Sequence, residues 1–159
     1  MPLPRTRHAT LDDVTAASYA PAMACIFCKI VGGEIAAEVV AKEPRVTAFL
    51  DVQPLADGHV LVVPAAHVAC IEELEPADAD ALFRVVARLA GPVRKAVGAA
   101  GTTVGVNNGE ATGQTIPHVH VHIVPRRDED GAGSVHTIFR PGARRPVAEV
   151  GKEIRKAAG

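Results

Sequence analysis

Tryptophan is absent from this chain, tyrosine occurs once and phenylalanine four times. A surface that binds single-stranded nucleic acid by stacking its bases needs several aromatic side chains together, so that class of function is excluded. Charge of one sign is lacking too: 17 lysines and arginines face 18 acids, for a formal net charge of -1. No basic field exists to gather nucleic acid non-specifically, although backbone N–H groups bind a phosphate without changing net charge. The three cysteines, Cys25, Cys28 and Cys70, are too few and odd in number for a disulfide framework. No apolar run approaches the roughly 18–20 residues of a membrane helix, and none follows Arg5 and Arg7 as the core of a secretory signal would. These absences predict a cytoplasmic protein with neither nucleic acid nor membrane as partner.

What is present suits one domain with a real core: 159 residues, 48% hydrophobic. Residues 1–22 have prolines, scattered charges and no sustained period, and are expected to form a disordered extension. Residues 23–127 read as the domain, and 128–159 as a C-terminal segment packing on it or on a dimer partner. Cys25–Val31 reads as a short helix stopped by Gly32 and Gly33. Val39–Lys42, Val46–Leu50, His59–Val63, Thr102–Asn107 and Ile116–Val124 read as strands, the third stopped by Pro64 and the last by Pro125. Pro76 opens a long helix whose Leu82, Val85, Val86, Leu89, Val93 and Val97 recur at helical spacing, with a kink expected at Pro92. A short helix is expected near Val147–Lys156. Strands in groups, rather than alternating with helices, predict an α+β fold with a mainly antiparallel sheet.

The most informative stretch is Pro117-His118-Val119-His120-Val121-His122-Ile123-Val124. In a strand, alternate residues share a face, so His118, His120 and His122 line one surface and the apolar residues the other. A metal site is one reading of such a row. Neighbours lie ~6.5–7 Å apart and the outer pair about 13 Å apart, so one metal on an extended strand does not take all three. Histidine is also a nucleophile when one ring nitrogen is bare and the other is protonated and held by an acceptor. The middle member, His120, is best placed for that role. Asn107, Gly109, Gly113, Gln114 and Thr115 precede the row. Alone they read as a hairpin loop; beside the histidines they read as an oxyanion cradle.

The chain resembles the histidine triad (HIT) superfamily, whose signature is His-x-His-x-His followed by apolar residues. The likeness extends through Ile26-Phe27-Cys28-Lys29-Ile30, Ala48-Phe49-Leu50-Asp51-Val52, and Pro54 through Gly58-His59-Val60-Leu61-Val62-Val63-Pro64 with His67, in the family's order. It spans Cys25 to Arg126 and implies a HIT-like fold: a five-stranded sheet, one long helix and a short N-terminal helix, in a homodimer. The apolar face of the long helix is a candidate for that contact. The resemblance implies that His120 attacks the α-phosphorus of a purine nucleotide derivative, such as one of AMP, and becomes nucleotidylated. His118 then holds His120 through its carbonyl, and His122 contacts phosphate. Asn107, Gly113, Gln114 and Thr115 match phosphate-side positions, Thr115 standing where many relatives carry serine. Ile26, Phe27, Phe49 and Val52 match the base pocket. Asp51 matches the carboxylate that accepts from the ribose hydroxyls, a chemically sensible role; its alternative is a loop-start aspartate bonded to its own backbone.

A structural zinc held by Cys25, Cys28, His67 and His118 is the second implied feature. It has tetrahedral Cys₂His₂ chemistry, with His59 as rival to His67. Cys70 reads as a buried, inert thiol. Pro125-Arg126-Arg127 follows the triad where the phosphoramidase branch commonly has paired glycines. This leaves cleavage of phosphoramidates, hydrolysis of dinucleoside polyphosphates and nucleotide transfer to sugar phosphates all open, with Arg126 and Arg127 either on extra phosphates or solvated. Arg140, Arg144, Arg145 and His136 are candidates to reach a dimer partner's site. A non-catalytic nucleotide-binding adaptor or sensor, and a catalytic zinc enzyme, are the competing functions.

Overall fold

The structure is a computed structural model that describes residues 25–138 and 145–159. The expected extension at 1–22 lies outside the described residues, as do Arg140 and Arg144. The chain divides into two compact units, one running to Asp128 and the other spanning Glu129–Gly159.

In the first unit, strands β1 (Val39–Glu43), β2 (Val46–Leu50), β3 (Val60–Pro64), β4 (Gly101–Gly105) and β5 (Val121–Arg126) form one sheet in the order β1-β2-β3-β5-β4. Every neighbouring pair is antiparallel. Helix α1 is Ile26–Gly32 and helix α2 is Pro76–Ala96. The second unit carries α3 (Val135–Ile138) and α4 (Val147–Ala158), with an Arg145–Glu153 ion pair at 2.5 Å. No helix among the described residues is long and apolar enough to cross a membrane.

The central strands are rich in β-branched residues and buried on both faces, which is why β2 and β3 read as unbroken apolar runs. On one face, Leu82, Val85, Val86 and Leu89 of α2 pack on Val46, Ala48, Val60, Val62, Val119, Val121 and Ile123. Each such side chain, fully buried, stabilises the fold by roughly 1.5–3 kcal/mol. The N-terminal and middle turns of that apolar face are thus covered by the chain's own sheet, while Val93 and Val97 near its end are half-buried. On the other face Cys25 and Phe27 pack on Phe49, Leu61 and Val63.

Helix α2 begins with Pro76 at its first turn and runs unbroken past Pro92. Gly98, at φ +61°, ends it: its N–H bonds to the Lys95 carbonyl and that of Ala99 to the Arg94 carbonyl. The last strand departs from expectation at both ends. It starts at Val121, because the backbone before it bonds elsewhere: Val119 N–H to the Val68 carbonyl and His118 N–H to the Ile116 carbonyl. It also continues through Pro125. The β3 ladder ends at Ile123, so Pro125 pairs only with Thr102 of β4 and its missing N–H breaks no bond on the other side.

Candidate active site

The sheet face under α1 carries a cavity of about 470 Å³. Ile26, Phe27, Phe49, Asp51, Val52, Thr115, His120 and His122 all line it, as do Ile30, Ile35, Leu50, Leu61 and Ile116, to which sequence reasoning gave no role in a site. Val52 is 89% exposed and stands on the rim. Asn107, Gly113 and Gln114, expected beside the phosphate, are not among the lining residues. The Gln114 amide is occupied in bracing its own loop: it accepts from Gly109 N–H and donates to the carbonyls of Ala69 and Ile116.

His120 is 6% exposed. Its Nδ1 lies 2.7 Å from the backbone carbonyl of His118. A carbonyl only accepts, so Nδ1 carries the hydrogen and Nε2 keeps a bare lone pair. The His122 ring meets His120 edge-on, centroids 5.0 Å apart, and Phe27 does so at 5.1 Å.

His59 proves to be part of this site. Leu55 N–H donates to His59 Nδ1 at 3.2 Å, and His59 Nε2 lies 2.9 Å from His122 Nδ1. With Nδ1 accepting, His59 carries its hydrogen on Nε2 and donates to His122, which in turn carries its own on Nε2. That Nε2 is buried and has no hydrogen-bond partner among the described residues. A donor in a cavity wall without a partner is suited to an incoming anionic oxygen. Burial lowers the His59 pKa, and burial with His120 and His59 nearby takes His122 down to about 4. The pair is therefore neutral at neutral pH, as the relay of hydrogens requires. The signal for His59 lay in the pairing of β3 with β5: Leu61 opposes His122, so position 59 is its same-face diagonal neighbour.

Asp51 makes the local backbone bond that was the alternative to a ribose contact, and it also stands on the cavity wall. Its Oδ1 accepts from Gln53 N–H at 2.9 Å, closing a local turn, while Oδ2 stands 3.5 Å from His59 Nδ1 on the cavity wall. Neither Arg126 nor Arg127 reaches the cavity lining. Arg126 bonds to the Thr103 hydroxyl, and Arg127 donates to the Gly98 and Val97 carbonyls at the end of α2. Arg127 thus stands at a helix C-terminus, which attracts a cation, and the Arg126 side chain reaches β4.

Beside the cavity, Cys25, Cys28, His67 and His118 gather with their ligand atoms within 4.8 Å of one another. His59 lies with Asp51 and His122 instead, so His67, not His59, joins His118 in this cluster. Burial and the adjoining Cys25 push the Cys28 thiol up to about 11, and burial takes His118 down to about 4. Cys70 is half-buried rather than buried, and desolvation with Glu72 and Glu73 nearby raises its thiol pKa.

A family model described as the HIT domain matches residues 32–129. The chain belongs to the histidine triad family. This HIT protein is 44% identical over 107 residues to an uncharacterised HIT-like protein of Methanocaldococcus jannaschii, covering 67% of this chain and 82% of the relative. It is 36% identical over 132 residues to a Schizosaccharomyces pombe adenosine 5′-monophosphoramidase, covering 83% of this chain and 96% of that one. It is 34% identical over 96 residues to the asymmetrical bis(5′-nucleosyl)-tetraphosphatase of the same yeast, covering 60% of this chain and 53% of that one. Among solved structures, a Bacillus subtilis HIT-family protein superposes with a TM-score of 0.74 at 34% identity, covering 83% of this chain and 95% of its own. A zinc-bound histidine triad protein from Mycobacterium smegmatis does so with 0.66 at 32%, covering 78% and 86%.

Proposed function

We propose that this HIT protein cleaves a nucleoside 5′-phosphoramidate at its α-phosphorus through a covalent nucleotidyl-histidine on His120. The observation that carries the reading is the fixed tautomer of His120 in the cavity wall: Nδ1–H on the His118 carbonyl and a bare Nε2. The Nε2 lone pair forms a bond to phosphorus, and the phosphorus–nitrogen bond to the leaving amine breaks. The amine takes up a proton from the Thr115 hydroxyl, which lines the cavity. Water then attacks the same phosphorus and returns a proton to the Thr115 oxygen, the histidine leaves, and the nucleoside monophosphate is released. His122 Nε2–H supports the phosphate oxygen on which charge builds. Asp51 accepts from the ribose hydroxyls, and Phe27, Phe49, Ile26 and Val52 flank a purine.

The phosphoramidate is preferred to a dinucleoside polyphosphate on two grounds. No lysine or arginine is among the described residues that line the cavity, which gives a chain of extra phosphates no cationic partner among them. The phosphoramidase relative also matches this chain over more of both lengths than the tetraphosphatase does. Further parts of the proposal are a homodimer and a zinc at Cys25, Cys28, His67 and His118. That zinc is supported by the four donors and by the zinc-bound mycobacterial neighbour.

The test is single-turnover mixing of wild type and His120→Ala with an adenosine phosphoramidate and with diadenosine tetraphosphate. A nucleotidyl adduct on His120, missing in the variant and formed faster from the phosphoramidate, is expected. AMP binding without any adduct or turnover means a nucleotide sensor instead.

A further inference from the structure

The cysteine–histidine cluster and the cavity share one residue, His118. Its ring lies in the cluster and its backbone carbonyl lies on His120. Ring Nε2 is 2.9 Å from the Pro64 carbonyl, so Nε2 carries the hydrogen and Nδ1 presents a lone pair. That Nδ1 stands 3.5 Å from both the Cys25 and the Cys28 sulfur, and the His67 Nδ1 stands 3.2 Å from the Cys28 sulfur. A tetrahedral zinc with ordinary bond lengths sets sulfur and nitrogen donors about 3.5 Å apart. The donors therefore fit the ion in kind and number, and His118 fits it in tautomer and in its separation from both sulfurs. A carbonyl on the far nitrogen is the usual way a metal-binding imidazole is oriented.

With the ion bound, both ring nitrogens of His118 are tied, one to metal and one to Pro64. The residue is also 0% exposed, and the Phe27 ring stands edge-on to both His118 and His120. A ring held at both nitrogens in a packed site holds its own Cα, and with it the peptide carbonyl that follows. We infer that zinc at Cys25, Cys28, His67 and His118 positions the nucleophile: acting through the His118 carbonyl, it keeps His120 in the tautomer with a bare Nε2. His118 is then a positioning residue, and the metal site is part of the catalytic apparatus without touching substrate. Without the ion, two thiols offer His118 Nδ1 only weak hydrogen bonds, and the ring gains freedom that its carbonyl passes on. The inference rests on the proposed nucleophile and the proposed zinc, and the experiment separates the three.

The full-length protein, labelled with nitrogen-15 at histidine, is compared as the zinc form, after stripping by a chelator, and after zinc is restored. Metal content, thermal unfolding and AMP affinity are followed on the same samples. The zinc form is expected to hold one ion per chain and His120 as a single Nδ1–H tautomer. On stripping, the His120 signals should average between tautomers and the adduct should form roughly 100-fold more slowly, within the range set by supporting shells of metal sites and by lost tautomers. AMP affinity should change less than tenfold, and zinc should reverse every effect. If the stripped chain unfolds, His67→Ala keeps three donors and weakens zinc, so occupancy can be titrated in a folded protein; the His120 signals should then follow occupancy. The inference is overturned by one His120 tautomer and an unchanged adduct rate with zinc removed or across that titration, and equally by a chain that takes up no zinc. The last result leaves the nucleophile assignment standing, whereas a holoprotein with the expected tautomer but no adduct sinks the nucleophile assignment alone.

Discussion

At the scale of single residues, the site depends on where hydrogens sit on imidazole rings. Each ring nitrogen in the relay is assigned by its neighbour: a backbone N–H obliges His59 Nδ1 to accept, and His59 then obliges His122 Nδ1 to accept. The relay ends in a donor on the cavity wall that nothing in the described protein uses. His59→Ala frees His122 to place its hydrogen on Nδ1 and turn an acceptor toward the phosphate. We expect kcat/KM to fall roughly 10–100-fold, somewhat less than for losing an oxyanion donor outright. His59→Asn keeps one acceptor and one donor and should recover part of the loss. If His59→Ala retains full kcat/KM, the relay has no catalytic role. His59 was legible in the sequence only as a possible metal ligand. Its real neighbours follow from strand pairing, which a single sequence states weakly. His120 was legible because three histidines at alternate positions leave few other meanings.

At the scale of elements, periodicity was a good guide to faces and a poor one to hydrogen bonding. Val119, Val121 and Ile123 do face α2, as their alternation implies, yet only the latter two belong to a strand. Residues 118–120 stay out of the ladder, and this leaves the His118 carbonyl available to the His120 ring. The loop between β2 and β3 shows the same economy. It carries Asp51 and His59, and Gly58 returns it to the sheet at φ +84°, where an added Cβ would meet the Val97 side chain at 2.8 Å. Gly58→Ala therefore combines backbone strain with a collision against the end of α2. A loss of roughly 1–3 kcal/mol in unfolding free energy is expected, with a raised KM because Asp51 and His59 move together. Denaturant melts and steady-state kinetics on the same preparation check both. An unchanged stability would mean that Val97 and the loop yield more easily than their packing suggests.

At the scale of the whole molecule, the buried histidines link catalysis to the acid limit of the fold. His122 titrates near 4 in the folded protein against an ordinary value of 6.5, chiefly because burial disfavours the charged ring, and His59 is shifted in the same direction. A depressed value in the folded state means that the unfolded chain binds the proton first. The stability that the His122 shift contributes is thus complete above about pH 6.5 and drains away as pH falls toward 4, and His59 acts in the same direction. Where one proton is taken up on unfolding, the slope is about 1.4 kcal/mol per pH unit, an upper value for a ring that is only partly enclosed. His122→Gln cannot titrate, so its unfolding free energy should fall less steeply than that of wild type between pH 6.5 and 4, and the two curves should converge as the pH is lowered. Measured by urea melts across that range, parallel curves would mean that His122 is protonated as easily folded as unfolded. The neutral His59–His122 pair, and the donor it presents to the cavity, would then have to be given up.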